Sequence, residues 1–555
     1  MRNKHIILYS TIFISFLTTI CSCDKPQKAD LVVHNAVVYT VDSSFSTVEA
    51  FAVKDGKIIE TGANSDILEK FDAESTLNME GKSIVPGLID GHAHFFRYGL
   101  GLVNADLTNT TSKKDIIDRL AAHREKYPNT PWVIGRGWDQ NDWPEKEFPS
   151  RRDLDSLFPD VPVYLIRIDG HAAWVNTAAI NQADLTPENT EIKVDGGDIV
   201  LDEYGIQGIF VDNAMDLINR HIPEATPEQQ RQALIQAQKN CFEVGLTTVV
   251  DAGLDKSTID LMDEMHESGE LKMRIYAMLN PTPENKEHYF ANGPYFTDYL
   301  TVSSFKIYSD GALGSRGACL IEPYADKPEQ TGFLLQNPEY FDKTAKEMAQ
   351  HGFQMNTHCI GDSSNRALLN IYAKYLEPGN NKRWRIEHAQ IVNDKDVSTF
   401  GEYNIIPSVQ PTHATSDMYW ADERLGEERI KDAYIFKELL DQTGYVALGS
   451  DFPVEDINPL YGFYAAVARK DLKGYPEEGF QTENALSREE TLRGMTIWAA
   501  KANFEEEKKG SLETGKFADF IVLENDILKI PAQEIPNTKV LHTFVAGKEV
   551  YKRQQ

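Results

Sequence analysis

Cysteine is scarce and unpatterned in this chain. Five occur in 555 residues, with no CxxC spacing, which excludes a disulfide-stapled scaffold and a cysteine-rich zinc module. Basic residues are also in deficit, 56 Lys and Arg against 85 Asp and Glu, for a formal charge of −29. That balance excludes nucleic-acid binding by bulk electrostatics and leaves the substrate open. Tandem repeats and low-complexity tracts are missing, which excludes a repeat architecture. The apolar run Ile6 to Ile20 is shorter than the ~20 residues of a membrane-spanning helix.

That run reads instead as the core of an export signal. Arg2 and Lys4 precede it and Ile20-Cys21-Ser22-Cys23 follows it, the order of basic, apolar and small-residue regions in a secretory leader. The tetrad resembles a bacterial lipobox, so residues 1–22 are expected to be a lipoprotein signal peptide. Cys23 becomes the lipidated first residue, and the mature protein is expected in the bacterial cell envelope, anchored on a periplasmic or outer-membrane face. Ordinary cleavage with release is the alternative. Loss of Arg2 and Lys4 lowers the formal charge of −29 by two. Cys241, Cys319 and Cys359 then remain and read as buried apolar residues.

The remaining composition, 41% apolar and 25% charged, is that of a folded globular protein, long enough for a barrel of ~250 residues plus additions. Short alternating β-branched runs at Ala29 to Asp42 and Ala50 to Glu60, with a turn signal at Lys54-Asp55-Gly56-Lys57, make the N-terminal end β. Gly515 to Leu523 and Val540 to Tyr551 make the C-terminal end β. Between them strands and helices alternate. Eight core strands are expected: Ile84 to Asp90, Thr247 to Asp251, Met273 to Leu279, Thr301 to Ile307, Phe353 to Thr357, Arg385 to Glu387, Ile405 to Val409 and Tyr445 to Leu448. Capping boxes open helices at Thr226-Pro227-Glu228-Gln229 and Ser487-Arg488-Glu489-Glu490. The gap from about residue 100 to 223 is far longer than a usual βα loop of a few residues. It requires an inserted unit, with strands at Trp132 to Trp138 and Val163 to Arg167. Leaving the carboxyl end of strand one, this unit is expected to wall or cover the site.

The chemistry starts at Val85-Pro86-Gly87-Leu88-Ile89-Asp90-Gly91-His92-Ala93-His94. Residues i and i+2 of a strand face the same way, so His92 and His94 project together from a strand end where neutral imidazoles bind one divalent metal. Four later β-like runs also end on competent residues: Lys306, His358, His388 and Asp451. Strands that each place a polar residue at their carboxyl end are the sequence form of a (β/α)8 barrel enzyme.

The order HxH, Lys, His, His, Asp resembles the metal-dependent amidohydrolase superfamily. Three further motifs, Asp169-Gly170-His171-Ala172-Ala173-Trp174-Val175-Asn176, Lys306 to Arg316 and His358-Cys359-Ile360-Gly361-Asp362, resemble its amidohydrolase 3, YtcJ-like branch. The likeness runs from about Ala29 to about Lys552. It implies an α/β TIM-type barrel at 84–500, a small β-sandwich built from 23–83 and 501–555, and the insertion at about 100–223. It also implies a divalent-metal centre, zinc in the first instance, in which His92, His94 and Asp451 hold one ion and His358 and His388 a second. Lys306 is then a carbamate bridge, or a plain lysine beside a single metal. Metal-activated water would hydrolyse a carbon–nitrogen bond of a small linear or cyclic amide that is not a peptide, with Asp451 transferring the proton. The same site can act on an ester, lactone or phosphoester, and a non-catalytic solute-binding lipoprotein is a third reading. Weaker candidates for substrate contact are His171, Arg316, Trp138, Asp139 and His413. Each has a structural reading beside it: a satisfied histidine, an ion pair with a nearby acid, or packing within the insertion, where Trp143 also belongs.

Overall fold

The computed structural model describes residues 25–128 and 130–554; the signal segment and Cys23 lie outside them. Eight parallel strands form the barrel: Leu88–Ala93, Leu246–Leu254, Arg274–Leu279, Leu300–Tyr308, Gln354–Cys359, Arg385–His388, Ile406–Val409 and Ala447–Leu448. Each pairs parallel with the next, with register shifts at Ala252/Leu254 and Ala277/Met278, and helices such as Pro227–Glu243, Lys256–Glu267 and Pro338–His351 return the chain between them. Thr226 and Gln229 cap the first of these reciprocally, with Pro227 in its first turn.

The last strand meets the first by a different device. Asp451 N donates to His92 O (2.7 Å) and His94 N to Phe452 O (2.8 Å). Beneath them the buried Asp90 carboxylate accepts from Ser450 N (3.0 Å), Ser450 Oγ (2.6 Å) and His92 N (3.2 Å). The approach is close enough that a Cβ on Gly449 would lie 2.4 Å from His92 N, so this seam tolerates only glycine.

Two small sheets stand beside the barrel. One orders Lys57–Gly62, Ala50–Lys54, Gln27–His34 and Phe71–Asn78; the other orders Lys548–Lys552, Val540–Val545, Phe520–Leu523, Ser83–Pro86, Val37–Tyr39 and Thr47–Val48. They share a core of Leu31, Val33, Phe51, Ile84, Phe520, Val522 and Phe544, with the Phe520 and Phe544 rings stacked 4.3 Å apart.

The first expected barrel strand, Ile84 to Asp90, is two strands. Ser83–Pro86 pairs with Phe520–Leu523 in the sandwich, and only Leu88–Ala93 enters the barrel. The chain changes sheets at Gly87, where a Cβ would lie 2.2 Å from Thr247 Oγ1. An unbroken apolar run conceals such a break, because both strands are buried on both faces.

The insertion is a six-stranded sheet, ordered Gly197–Asp202, Gly205–Asp212, Ala172–Val175, Val163–Arg167, Val133–Trp138 and Ala105–Asp106. It has an apolar cluster on each face. Two of its strands match the sequence expectation, and the other four are short or glycine-interrupted and carry little alternation. It is fastened to a barrel loop by Arg424 Nη2–Asn141 Oδ1 (2.9 Å) and Lys146 Nζ–Glu423 Oε1 (2.7 Å).

Barrel and sandwich share apolar packing and a buried ion pair. Arg274, at the start of the third barrel strand, donates through Nε (2.6 Å) and Nη2 (2.9 Å) to the Asp519 carboxylate, and its guanidinium lies 3.9 Å from the Phe517 ring centroid. Breaking a buried pair leaves an uncompensated charge, at a cost of about 3–5 kcal/mol, whereas replacing both partners by apolar residues is often nearly neutral. Arg274→Ala should therefore lower unfolding stability by about 3–5 kcal/mol, and Arg274→Met with Asp519→Leu by less. Urea denaturation of both variants at fixed metal concentration checks this, and an equal loss in the double variant would contradict it.

Candidate metal centre

The carboxyl ends of the barrel strands converge on a small buried volume. His94 Nε2 lies 3.2 Å from Asp451 Oδ1, and His92 Nε2 lies 3.6 Å from the same oxygen. Among the described residues these three form a group whose candidate ligand atoms all fall within 4.8 Å of one another. His388 and His358 continue the cluster, with ring centroids 5.0 Å between His92 and His388 and 4.6 Å between His358 and His388. Lys306 Nζ is fully buried, 3.0 Å from His92 Nε2.

Hydrogen bonding on the far side of the rings decides what faces the centre. His92 Nδ1 is held by Glu387 Oε2 (2.5 Å), His94 Nδ1 by Ala252 O (3.0 Å) and His388 Nδ1 by Gln410 Oε1 (2.8 Å). Each acceptor assigns the proton to Nδ1 and leaves the Nε2 lone pair free. Lone pairs of His92 and His94 thus meet Asp451 Oδ1, a buried carboxylate oxygen with no hydrogen-bond donor. Three acceptors gather here beside a single donor, Lys306 Nζ on His92 Nε2, which leaves Asp451 Oδ1 and His94 Nε2 to a cation, and imidazole with carboxylate is the donor set of zinc and similar divalent ions. These residues fit a divalent metal.

Electrostatics keep the ligands in their binding forms. Burial lowers His94 to about 4 and holds His358 and His388 well below the usual imidazole range. Burial pushes Asp451 up, but His94, 3.2 Å away, and then His92 and His388 outweigh it and hold the carboxyl well below its ordinary value. Burial also pulls Lys306 down to about 8, against Glu387 and Asp451. Glu387 was not legible as a site residue, since it points away from the centre. It is buried between His92 and Arg385, whose Nη2 donates to Oε2 (3.1 Å), and burial alone would raise its pKa, yet Arg385 and His92 keep it ionised. Backbone geometry marks the same places: His388 (φ 72°) and Asp451 (φ 61°) occupy the left-handed region, uncommon for residues with a side chain.

Above the centre lies a cavity of about 790 Å³, lined by His358, His388 and Asp451 below and by the insertion on one side. His171 reaches it, with Nδ1 2.6 Å from Asp212 Oδ1 and its ring 5.1 Å from that of His358. His413 lines it too, with Nε2 4.0 Å from Asp451 Oδ2. Asp139 borders the cavity but is engaged by Arg167 Nη2 (2.5 Å).

Two candidates do not reach it. Trp138 is fully buried in the insertion core against Trp143 and Trp174, with Nε1 donating to Leu165 O (2.8 Å); a ring inside a β lobe is worth more as packing than as a pocket wall. Arg316 turns outward and pairs with Asp326 (2.6 Å), the alternative its acidic surroundings always offered. Cys359 lies buried near the centre, with Ser309 Oγ donating to its Sγ (3.2 Å).

A TIM-type barrel with histidines and an aspartate gathered at its strand ends defines a metal-dependent hydrolase. The family model described as "Amidohydrolase family" matches residues 75–551, and the chain belongs to that family, in its YtcJ-like branch. It is 32% identical to "Protein LONG AFTER FAR-RED 3" of Arabidopsis thaliana over 94% of this chain and 92% of that protein. It is 30% identical to "Putative amidohydrolase YtcJ" of Bacillus subtilis (94% and 99%) and 25% identical to "N-substituted formamide deformylase" of Arthrobacter pascens (95% and 99%). Among solved structures, an uncharacterized metal-dependent hydrolase from Pyrococcus horikoshii OT3 superposes with a TM-score of 0.74 at 26% identity, covering 90% of this chain and 99% of that one. The protein is a hydrolase of carbon–nitrogen bonds other than peptide bonds.

Outer partners of ligating histidines typically change metal affinity by about 10–100-fold. Glu387→Gln should weaken metal retention by about that factor, and Asp451→Asn should remove most bound metal with the fold intact. Metal content after dialysis, read beside circular dichroism, tests both; full metal content in Asp451→Asn would exclude it as a ligand.

Proposed function

We propose that the protein hydrolyses a small N-substituted linear or cyclic amide at a centre of one or two divalent ions, zinc in the first instance. The observation that carries this is the convergence of the His92 and His94 Nε2 atoms on the donor-free Oδ1 of Asp451. His92, His94 and Asp451 would hold one ion, and His358 and His388 a second. A buried lysine lowered to about 8 has a neutral fraction able to add carbon dioxide, which supports Lys306 as a carbamate between the two. A bound divalent ion supplies Lewis acidity, lowering the pKa of water to about 7 and polarising a carbonyl.

The chain's own residues handle positioning and protons. Asp451, ionised and in reach of His94 and His413, is the base that takes a proton from the attacking water. It returns that proton to the leaving nitrogen as the C–N bond breaks, giving a carboxylic acid and an amine. His171, held by Asp212, borders the cavity beside His358. The insertion forms one wall of the pocket and shapes it. The "N-substituted formamide deformylase" relative supports an amide as the substrate class.

Chelated enzyme should lose activity and recover it on adding zinc, and matched amide and ester panels scored by kcat/KM should favour amides. In the same protein Lys306→Ala should carry about one metal equivalent where wild type carries two, with partial rescue by a short carboxylic acid. Consistently better esters would overturn the amide reading, and one equivalent in fully active wild type would overturn the carbamate.

The leader supports a second proposal, that the mature chain is held in the bacterial cell envelope by lipid on Cys23. Arg2, Lys4, the apolar run and Ile20-Cys21-Ser22-Cys23 carry it. Labelled palmitate should enter the wild type and not Cys23→Ser; equal labelling would refute the anchor.

A further inference from the structure

Two arginines line the cavity, Arg136 and Arg167, and they differ in how their charge is answered. Arg167 is locked between Asp139 and Asp169, both at 2.5 Å, with Nε on Gln140 Oε1 (2.8 Å). Lys470 and Lys473 sit at the outer rim, the first bonded to Glu477 O. Arg136 is different. It lies on insertion strand Val133–Trp138, lines the cavity, and forms no ion pair among the described residues. Its Nη2 donates to Ile168 O (2.8 Å), and its Nε is buried with no acceptor.

The guanidinium packs against the turn that presents His171. A Cβ at Gly170, whose φ is +81°, would lie 3.5 Å from Nη1 and 3.6 Å from Nη2, ordinary contact distances that place the Arg136 head against this turn. His171 in turn touches His358, which places Arg136 one residue layer above the metal centre. Burial lowers Arg136 to about 10, with Asp451 and then Asp169 opposing through space, so it is cationic at neutral pH. A metal ion held by Asp451 takes up that carboxylate's field, and Asp169 already answers Arg167. Arg136 is then a partly buried cation on the cavity wall with no ion-pair partner among the described residues, an arrangement that an incoming anion would complete.

We infer that Arg136 binds a carboxylate carried by the substrate, so that the preferred amides are anionic, with the charged group one residue layer from the scissile bond. A guanidinium is a strong donor to carboxylates, and Nη1, next to the Nη2 that bonds Ile168 O, makes no hydrogen bond among the described residues. The role that the sequence offered to Arg316, which is neutralised by Asp326, falls to Arg136. The inference rests on the amide-hydrolase reading for its substrate but not for its binding site, and the two can fail separately.

The test uses full-length, metal-loaded enzyme and a panel of amides, each made as a free carboxylate and as the matched carboxamide. Hydrogen bonds to a charged partner are worth ~1.5–3 kcal/mol, so carboxylates should exceed carboxamides in kcat/KM by about tenfold or more. Arg136→Gln should remove that preference, mainly through KM, and Arg136→Lys should restore part of it; thermal melts check that both variants fold. Equal or better turnover of carboxamides by wild type, or an equal loss on both series in Arg136→Gln, overturns the inference. Calorimetry with glutarate and glutaramide separates it from the reaction. If no amide is turned over yet glutarate binds wild type about tenfold more tightly than Arg136→Gln, the anion site stands and the amide reading falls. If glutarate binds both proteins alike, the anion site falls whatever the reaction.

Discussion

Everything at the centre depends on the seam where the eighth strand meets the first. The hydrogen bond from Asp451 N to His92 O closes the barrel and, with the same atoms, fixes the distance between an acidic ligand and the His92–His94 pair. Asp90 reinforces it from below, accepting three hydrogen bonds from the two strands. Folding energy and metal geometry are thus not separable here: a change that loosens the closure moves Oδ1 of Asp451 away from the imidazoles. The glycine at 449 is part of the same constraint, since any side chain would hold the strands apart.

Around that seam the buried charges form a graded sequence. Glu387 stays ionised because Arg385 and His92 both answer it, and the proton it anchors on His92 Nδ1 frees Nε2 for a ligand role. Asp451 stays ionised because imidazoles surround it. Lys306 sits between two carboxylates and still has a depressed pKa, because burial outweighs them. The excess of lone pairs over donors at the centre is the electrostatic form of a requirement for a cation. A low effective dielectric makes that requirement strong, by the same physics that would make the site unstable if it were left uncompensated.

The sequence carries this centre unusually plainly, and the reason is geometric. A barrel presents its chemistry at strand ends, and a strand end is visible as an apolar run that stops on a polar letter; hence Lys306, His358, His388 and Asp451 could be picked out without coordinates. Other features left no such trace. Glu387 reads as an ordinary strand residue because its function is to face another side chain. The break at Gly87 is hidden because two buried strands in different sheets look like one. Trp138 and Arg316 have the right chemistry for a pocket, and only packing decides that one turns into the insertion core and the other toward Asp326. Arg136 was invisible for the converse reason: its distinction is the absence of a partner, which letters do not record.

The architecture divides labour between rigid and adaptable parts. The barrel ends hold the candidate metal ligands on paired backbone, where a shift of a few tenths of an ångström would be felt by every neighbour. The cavity wall comes from an independent sheet with its own two cores, fastened by a few polar contacts such as Arg424–Asn141. Residues on that wall can change without disturbing the closure seam, so substrate choice can drift while the hydrolytic centre stays constant. Arg136 lies on the adaptable side of that division, and His171 at its edge, one ring from His358. A carboxylate docked on the first would bring the rest of a short amide under the second, and the length of chain between charge and scissile bond then becomes the quantity that the wall selects.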